Sequence, residues 1–424
     1  MRGRLGWLWH RIFASYWSLP VLAVLSALPI AVATVLWDRD SLTSWIIDRD
    51  LDPVITADTA KDLVGVAVGI NAAFLTLYFS ITLLVLTVAS SNLGVRLVDR
   101  WLDKGLVRVS LSGLAFTLVY SLAVMSAIDA DAAIADTPLG SVAAVIGFQA
   151  LNVAMLSIAL HDLGRTIFVD RSIHYLGREA ASGPAIITSA EPLHPQWSTT
   201  FRARQEGYVE GNDTDTLGKL MSGSQAYARI CAAPGQHVME GDPLVQVTGC
   251  ELEADKLHDI VPIGNFRSDG QGTVFRVRLL VEIAARALSP AVNDFYTAIA
   301  CADRLAAAMD GQFGSWIDRD KVAVYADDTR IELPGQDFHG LFADPLAAFR
   351  QAACQYPSVS IRMIDNYARL IERARAAGHS AELVEFLMRR ARELGDHARD
   401  VTQFEGDKTD IAEAIARCED ATQA

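Results

Sequence analysis

The sequence predicts an α-helical membrane domain of four transmembrane helices, then an α+β domain with a small β barrel-sandwich-like module and a C-terminal helical bundle. Three observations predict this. From Leu63 to Ala89 run 27 residues without a charged side chain. As a helix that is about 40 Å long, against about 30 Å of bilayer hydrocarbon. A soluble core helix of such length would have no polar face to turn toward water. Three further uncharged runs share the first 164 residues with it, and beyond residue 165 shorter alternating and amphipathic patterns replace them.

Residues 1–18 read as an interfacial segment, with Arg2, Arg4, His10 and Arg11 set among Trp7, Trp9, Phe13, Tyr16 and Trp17. Residues 19–164 form the four-span domain. Its first span is Leu19 to Trp37, where Pro29 is expected to make a kink. Ala31-Val32-Ala33 has the form of a signal-peptidase site, but the long Trp-rich flank before it fits an uncleaved anchor. Asp38 to Asp62 reads as a polar loop carrying seven aspartates against Arg39, Arg49 and Lys61. Leu63 to Asn92 is the second span, taken as the helix around which the rest is organised. Arg96, Arg100, Lys104 and Arg108 follow, then a third span, Val109 to Ile128. A short acidic loop with Asp129, Asp131 and Asp136 leads into the fourth, Leu139 to Leu160.

The N-terminal segment, the link between spans two and three, and the stretch after span four (Arg165, Arg171, Arg178) together hold ten Lys and Arg. The two opposite loops hold three. The positive-inside rule then predicts a multi-pass membrane protein with both termini cytoplasmic and the Asp-rich loops outside.

Residues 165–270 read as a linker and a small β module. Gly207-Tyr208-Val209 and the run from Gly235 to Val247 resemble the two halves of a lipoyl- or biotinyl-type scaffold. The exposed hairpin lysine of those carriers has no counterpart, since Lys256 falls well past the second half. Residues 271–424 read as mainly helical with one hairpin: a helix stop at Ser289-Pro290, a restart, a β-hairpin around Asp327-Asp328, then three or four amphipathic helices.

Charge and motifs exclude several functions. Residues 1–164 carry 10 Lys+Arg against 13 Asp+Glu, and the remainder 27 against 38. No basic tract could neutralise nucleic-acid phosphates. The five scattered cysteines fit a reducing compartment better than a disulfide framework. No H-x-x-x-H, P-loop, dinucleotide fingerprint or nucleophile elbow occurs, so the sequence predicts no metal, no cofactor and no enzyme.

Two groups of residues stand out. Thr76, Ser80, Thr87 and Ser91 fall at i, i+4, i+11 and i+15, within about 60° of one another on the second span; Asn71 lies off this stripe. Two readings fit it: lining of a hydrated path or oligomer interface, or hydroxyls bonded back to their own helix. No span has an ionisable group at its middle, which argues against a proton-coupled pump. The second group is the helix break, where Asn293-Asp294 can cap the following helix.

The run from Phe79 to Ser91 followed by Arg96-Leu97, together with ALSPAVNDFYTAIACADRL from Ala287 to Leu305, resembles a bacterial family of predicted membrane proteins, domain of unknown function 2254. The usual form of the second motif is S-P-x-x-N-D-P-x-T-A, and here Phe295 replaces the second proline. The resemblance implies a four-span inner-membrane protein with a cytoplasmic domain and no assigned activity. It carries over Ser289, Pro290, Asn293 and Asp294 as motif positions without a role. The expected function is a homo-oligomeric, channel-like or transport-related protein for small ions. The alternative is a membrane-anchored scaffold whose cytoplasmic domain docks a partner.

Overall fold

The computed structural model describes residues 17–49, 56–93, 105–166, 169–182, 187–193, 196–267, 271–333 and 335–423. The interfacial segment before Trp17 and the cationic link holding Arg96, Arg100 and Lys104 lie outside them. The chain divides into two units, Met1–Phe168 and Val169–Ala424.

The first unit contains α1 (Ser18–Trp37), α2 (Thr43–Ile47), α3 (Ala57–Leu93), α4 (Gly105–Ala127) and α5 (Leu139–Thr166). Helix α1 runs unbroken through Pro29 and joins α2 by a π-helical turn, Asp38–Leu42. Ser18–Ile47, Ala57–Val88, Gly105–Ala127 and Leu139–Asp162 are each long and apolar enough to cross a membrane. Helix is the conformation expected there, because it satisfies its own backbone where no water can.

Hydrogen bonds fix the helix directions. The Thr34 and Tyr120 hydroxyls meet at 3.0 Å, Arg39 donates to the Ala127 carbonyl at 2.6 Å, and Arg108 reaches the Ser18 hydroxyl at 3.3 Å. Helices α1 and α4 are therefore parallel neighbours. The Tyr78 hydroxyl donates to the Val107 carbonyl at 3.2 Å, which sets the late part of α3 against the start of α4. Helix α5 begins where α1 ends, so the order is up-down-up-down. The described parts of the two connections, 38–49 and 128–138, share one end.

The hub of this unit is α4, not the longer α3: α4 packs on α1, α3 and α5, and its span is the most buried of the four. Its Ser110, Ser112, Thr117 and Ser121 are all buried. Small residues allow close helix approach, among them Ala27 and Ala31, at most 1% exposed in the cluster with Tyr120 and Val124.

The expected Asp38–Asp62 loop is shorter than its sequence suggests. Helix continues to Ile47 and resumes at Ala57, and Asp38 is buried. The π turn swings its carboxyl onto the start of α5. There it accepts from Gly140 N at 3.1 Å, Ser141 N at 2.5 Å and the Thr43 hydroxyl at 3.0 Å. These are amides that a helix start otherwise leaves without partners. A Cβ on Gly140 would come within 2.9 Å of the Asp38 carboxyl oxygen and 2.3 Å of Leu42.

The second unit opens with α6 (Val169–Ala181), followed by β1 (Ile187–Ala190), β2 (Thr199–Arg202) and β3 (Gly207–Val209). Then come α7 (Thr214–Leu220), β4 (Tyr227–Ile230), β5 (His237–Val238), β6 (Pro243–Thr248), α8 (Ala254–Ile260) and β7 (Ile263–Gly264). Helices α9 (Thr273–Ala287) and α10 (Phe295–Gly311) precede the hairpin β8 (Val322–Tyr325) and β9 (Asp328–Glu332). The chain finishes with α11 (Phe338–Ala353), α12 (Pro357–Ala376), α13 (Ala381–Val401) and α14 (Glu405–Gln423).

The strands make a six-stranded sheet, β1-β8-β9-β4-β6-β2, and a three-stranded one, β5-β3-β7. Among the described residues no barrel closes. The hairpin is not a separate feature of the helical region: β9 pairs in parallel with β4 and so lies inside the larger sheet. Across that pair Arg229 stands opposite Glu332, bonded at 2.6 Å. Helix α6 packs on α9 and α10. Gly177 makes this possible, since a Cβ there would fall 2.6 Å from that of Arg304.

Candidate functional site

Two places collect the residues singled out from the sequence, one in each unit. On α3, Thr76, Ser80 and Thr87 are exposed. Each hydroxyl donates to the carbonyl one turn back: Thr76 to Ala72 at 3.0 Å, Ser80 to Thr76 at 2.9 Å, Thr87 to Leu83 at 2.8 Å. The side chain of Ser91 lies outside those described. Asn71, Tyr78, Thr82 and Val85 are buried on the opposite face of the same helix. The stripe therefore points away from the interior of the four-helix unit, and Asn71 does not join it.

Asn71 makes a different site. It is 0% exposed, and its side-chain oxygen accepts from the Asn152 amide at 3.2 Å. The two residues sit at nearly equal distances from the starts of α3 and α5, so the pair lies near mid-span. Gly113 of α4 makes room for it, with its Cβ position 3.1 Å from the Asn152 oxygen. Among the described residues Asn71 Nδ2 has no partner, nor do the hydroxyls of Thr82, Ser110 and Ser121 or either amide atom of Gln149. This buried Asn71–Asn152 pair was not read from the sequence. Its signal is Asn152 itself, an amide near the centre of an apolar run.

In the second unit, Ser289, Pro290, Asn293 and Asp294 form the corner between α9 and α10. The Ser289 carbonyl accepts from Val292 N at 3.0 Å and Asn293 N at 2.9 Å. Asn293 has φ 51°, a left-handed conformation that asparagine tolerates better than most residues. Asp294 caps α10, accepting from Thr297 N at 3.0 Å and the Thr297 hydroxyl at 2.6 Å, a contact worth about 1 kcal/mol. Phe295 is the first residue of α10, the position where proline is well tolerated because its amide has no helical acceptor. Replacement of the usual proline therefore leaves the corner intact.

Burial, then the Asp170 and Asp294 carboxylates, push the Cys301 thiol well above its ordinary range, so it stays protonated. Among the described residues no three His, Cys, Asp or Glu side chains gather where a metal ion could be held. On the surface of the corner Val292, Phe295 and Tyr296 are 41%, 37% and 73% exposed, and the two rings lie 4.4 Å apart.

This chain has relatives in mycobacteria. It is 28% identical over 311 residues to uncharacterized proteins of Mycobacterium bovis and Mycobacterium tuberculosis, a match covering 67% of this chain. The match spans 56% of the length of those relatives. No solved structure matches it. Residues 14–369 match the family described as predicted membrane protein, DUF2254, a stretch that takes in all four apolar helices and the α9–α10 corner. The chain belongs to that family of predicted membrane proteins.

Proposed function

We propose that the protein is a homo-oligomeric, channel-like protein of the bacterial inner membrane that passes small ions, with α3 packed around the symmetry axis and both termini cytoplasmic. The observation that carries this reading is the row Thr76, Ser80 and Thr87, exposed on the outer face of α3. Because each hydroxyl proton is committed to its own helix, the oxygens face outward as acceptors. Against acyl chains such a row gains nothing. Repeated around an axis, it makes rings of oxygens that can replace part of an ion's hydration shell.

The charge distribution supports cations over anions and supports the orientation. Asp40, Asp48, Asp129, Asp131 and Asp136 are exposed at one end of the helices, where they raise the local cation concentration. The Lys and Arg excess in the segments flanking the other end fits the cytoplasmic side. In liposomes, the double substitution Ser80→Leu and Thr87→Leu is expected to lower passive cation flux at least tenfold while leaving insertion and particle mass unchanged. Undiminished flux, or a monomer by mass photometry, overturns the reading.

One observation favours a second reading, in which the spans anchor and the other unit docks a protein: the exposed Val292, Phe295 and Tyr296 beside the family motif. In that case Tyr296→Ala releases a stoichiometric partner captured by the full chain, and the α3 substitutions change nothing.

A further inference from the structure

A groove of about 230 Å³ runs between α10 and α12. Ala306 and Ala307 open it, because their small side chains leave space where α10 faces Leu370 of α12. Its charged groups come from spacing on the two helices. Asp303 and Asp310 are seven residues apart on α10, two turns along one face. Arg362, Asn366, Arg369 and Arg373 repeat at i, i+4, i+7 and i+11 along the facing side of α12.

Every carboxylate oxygen in this set is already engaged. Arg362 donates to both oxygens of Asp303 at 2.8 and 3.0 Å, and Arg373 to both of Asp310 at 2.6 and 2.7 Å. Burial pushes the Asp303 carboxyl up, but the hydrogen bonds from Arg362 and Asn366 and the nearby guanidinium charges outweigh it and hold the group below its ordinary range. Asp303 therefore stays ionised and stays with Arg362.

Arg369 is the exception. Among the described residues it makes no ion pair, and one of its five donors is used, to Asn366 Oδ1 at 3.2 Å. Asn366 is 2% exposed and fixed at its other end, with Nδ2 donating to Asp303 at 2.9 Å. The buried amide thus aims the exposed guanidinium of Arg369 along the groove. What the groove offers is unused N–H donors on its two lining arginines, Arg369 and Arg373, and no carboxylate oxygen without a donor, a set that suits an anion and not a cation. A guanidinium fork matches a planar or tetrahedral oxyanion with two parallel hydrogen bonds.

We propose that the α10–α12 groove is a binding site for a small oxyanion, a phosphate or a carboxylate, with Arg369 as its principal ligand and Asn366 as the residue that positions it. The site is independent of the passage proposed for α3.

The test is calorimetric titration of the full chain in detergent with sodium phosphate and, separately, sodium acetate at constant ionic strength. Saturable binding of at least one anion is expected, and the tighter of the two identifies the ligand class. Arg369→Gln is expected to weaken it at least tenfold. Ala307→Glu, which removes no contact but adds a carboxylate for Arg369 to pair with, is expected to abolish it. Arg392→Gln, on a surface pair with Glu419, is expected to leave it unchanged. Absence of saturable binding of either anion, or wild-type binding by folded Arg369→Gln or Ala307→Glu protein, overturns the proposal.

Discussion

Replacing Glu332 with alanine is expected to lower the local stability of the six-stranded sheet by about 3 kcal/mol. Glu332 is 3% exposed and serves two donors, Arg229 Nε at 2.6 Å and Leu193 N at 2.7 Å. The first bond ties β9 to β4, two strands joined in parallel across about 100 residues of chain. The second ties down the segment that leaves β1. Truncation removes both acceptors, strands the Leu193 amide and leaves a guanidinium without its counter-charge. Loss of one partner of a fully buried pair costs about 3–5 kcal/mol. The lower end applies here because the Arg229 side chain is 37% exposed and water can reach it. Glu332→Gln keeps an acceptor and is expected to cost less than half as much. Hydrogen exchange reads this directly: protection of the β4 and β9 amides is expected to fall about a hundredfold in the alanine variant, and equal protection would contradict it.

Asp38→Ala is expected to have a comparable effect in the first unit. One carboxyl there joins three elements: the π turn that carries it, the Thr43 hydroxyl of α2, and the first amides of α5. Without it the Gly140 and Ser141 amides are buried with no acceptor, at about 1–3 kcal/mol each. An alanine also leaves a void beside Leu42 and Gly140. In Asp38→Asn the remaining oxygen can still accept from Gly140 N and the Thr43 hydroxyl, as Oδ1 does, but the amide nitrogen cannot accept from Ser141 N, and the favourable charge at the helix start is lost as well. Thermal unfolding of the detergent-solubilised protein is expected to shift down by about 10 °C for alanine and by about half of that for asparagine. Equal shifts for both would mean that the bonds to Oδ1 contribute nothing to stability.

The four long apolar helices were legible because an apolar run of about 20 residues satisfies its backbone most readily as a helix. Which helix is central was not. Length and freedom from charge favour α3, yet the number of neighbouring helices, not the length of an apolar run, decides which helix is central. Helix α4 faces other helices on three sides and can bury Ser110, Ser112, Thr117 and Ser121.

Asp38 was misassigned to a solvated loop for a related reason. Composition gives the polarity of a residue but not the helix end it faces, and that end belongs to α5, about 100 residues later. The α9–α10 corner was read well, since the cap, the left-handed Asn293 and the restart are all local chemistry. Helix α6 carries a helical period in Ile173, Leu176, Gly177 and Ala180, but Arg165, Arg171 and Arg178 give the same segment the look of a cationic flank to the last apolar helix. The parallel β4–β9 pairing has no local signal at all. Of the groove, only the helical period of the arginines on α12 could be seen beforehand. Its lining depends on which face of α10 meets them.

That residues 17–166 cross a bilayer four times, with the 38–56 and 128–138 connections on the outer side, is tested most directly by cysteine accessibility. The background is the full chain with Cys231 and Cys250 replaced by serine; Cys301, Cys354 and Cys418 are buried. In intact spheroplasts an impermeant maleimide is expected to label Asp48→Cys and Asp131→Cys but not Arg319→Cys, which reacts only after lysis. Labelling of Asp48→Cys and Asp131→Cys from opposite sides, or of Arg319→Cys from the same side as both, would contradict the four-span arrangement and the orientation that the proposed passage requires.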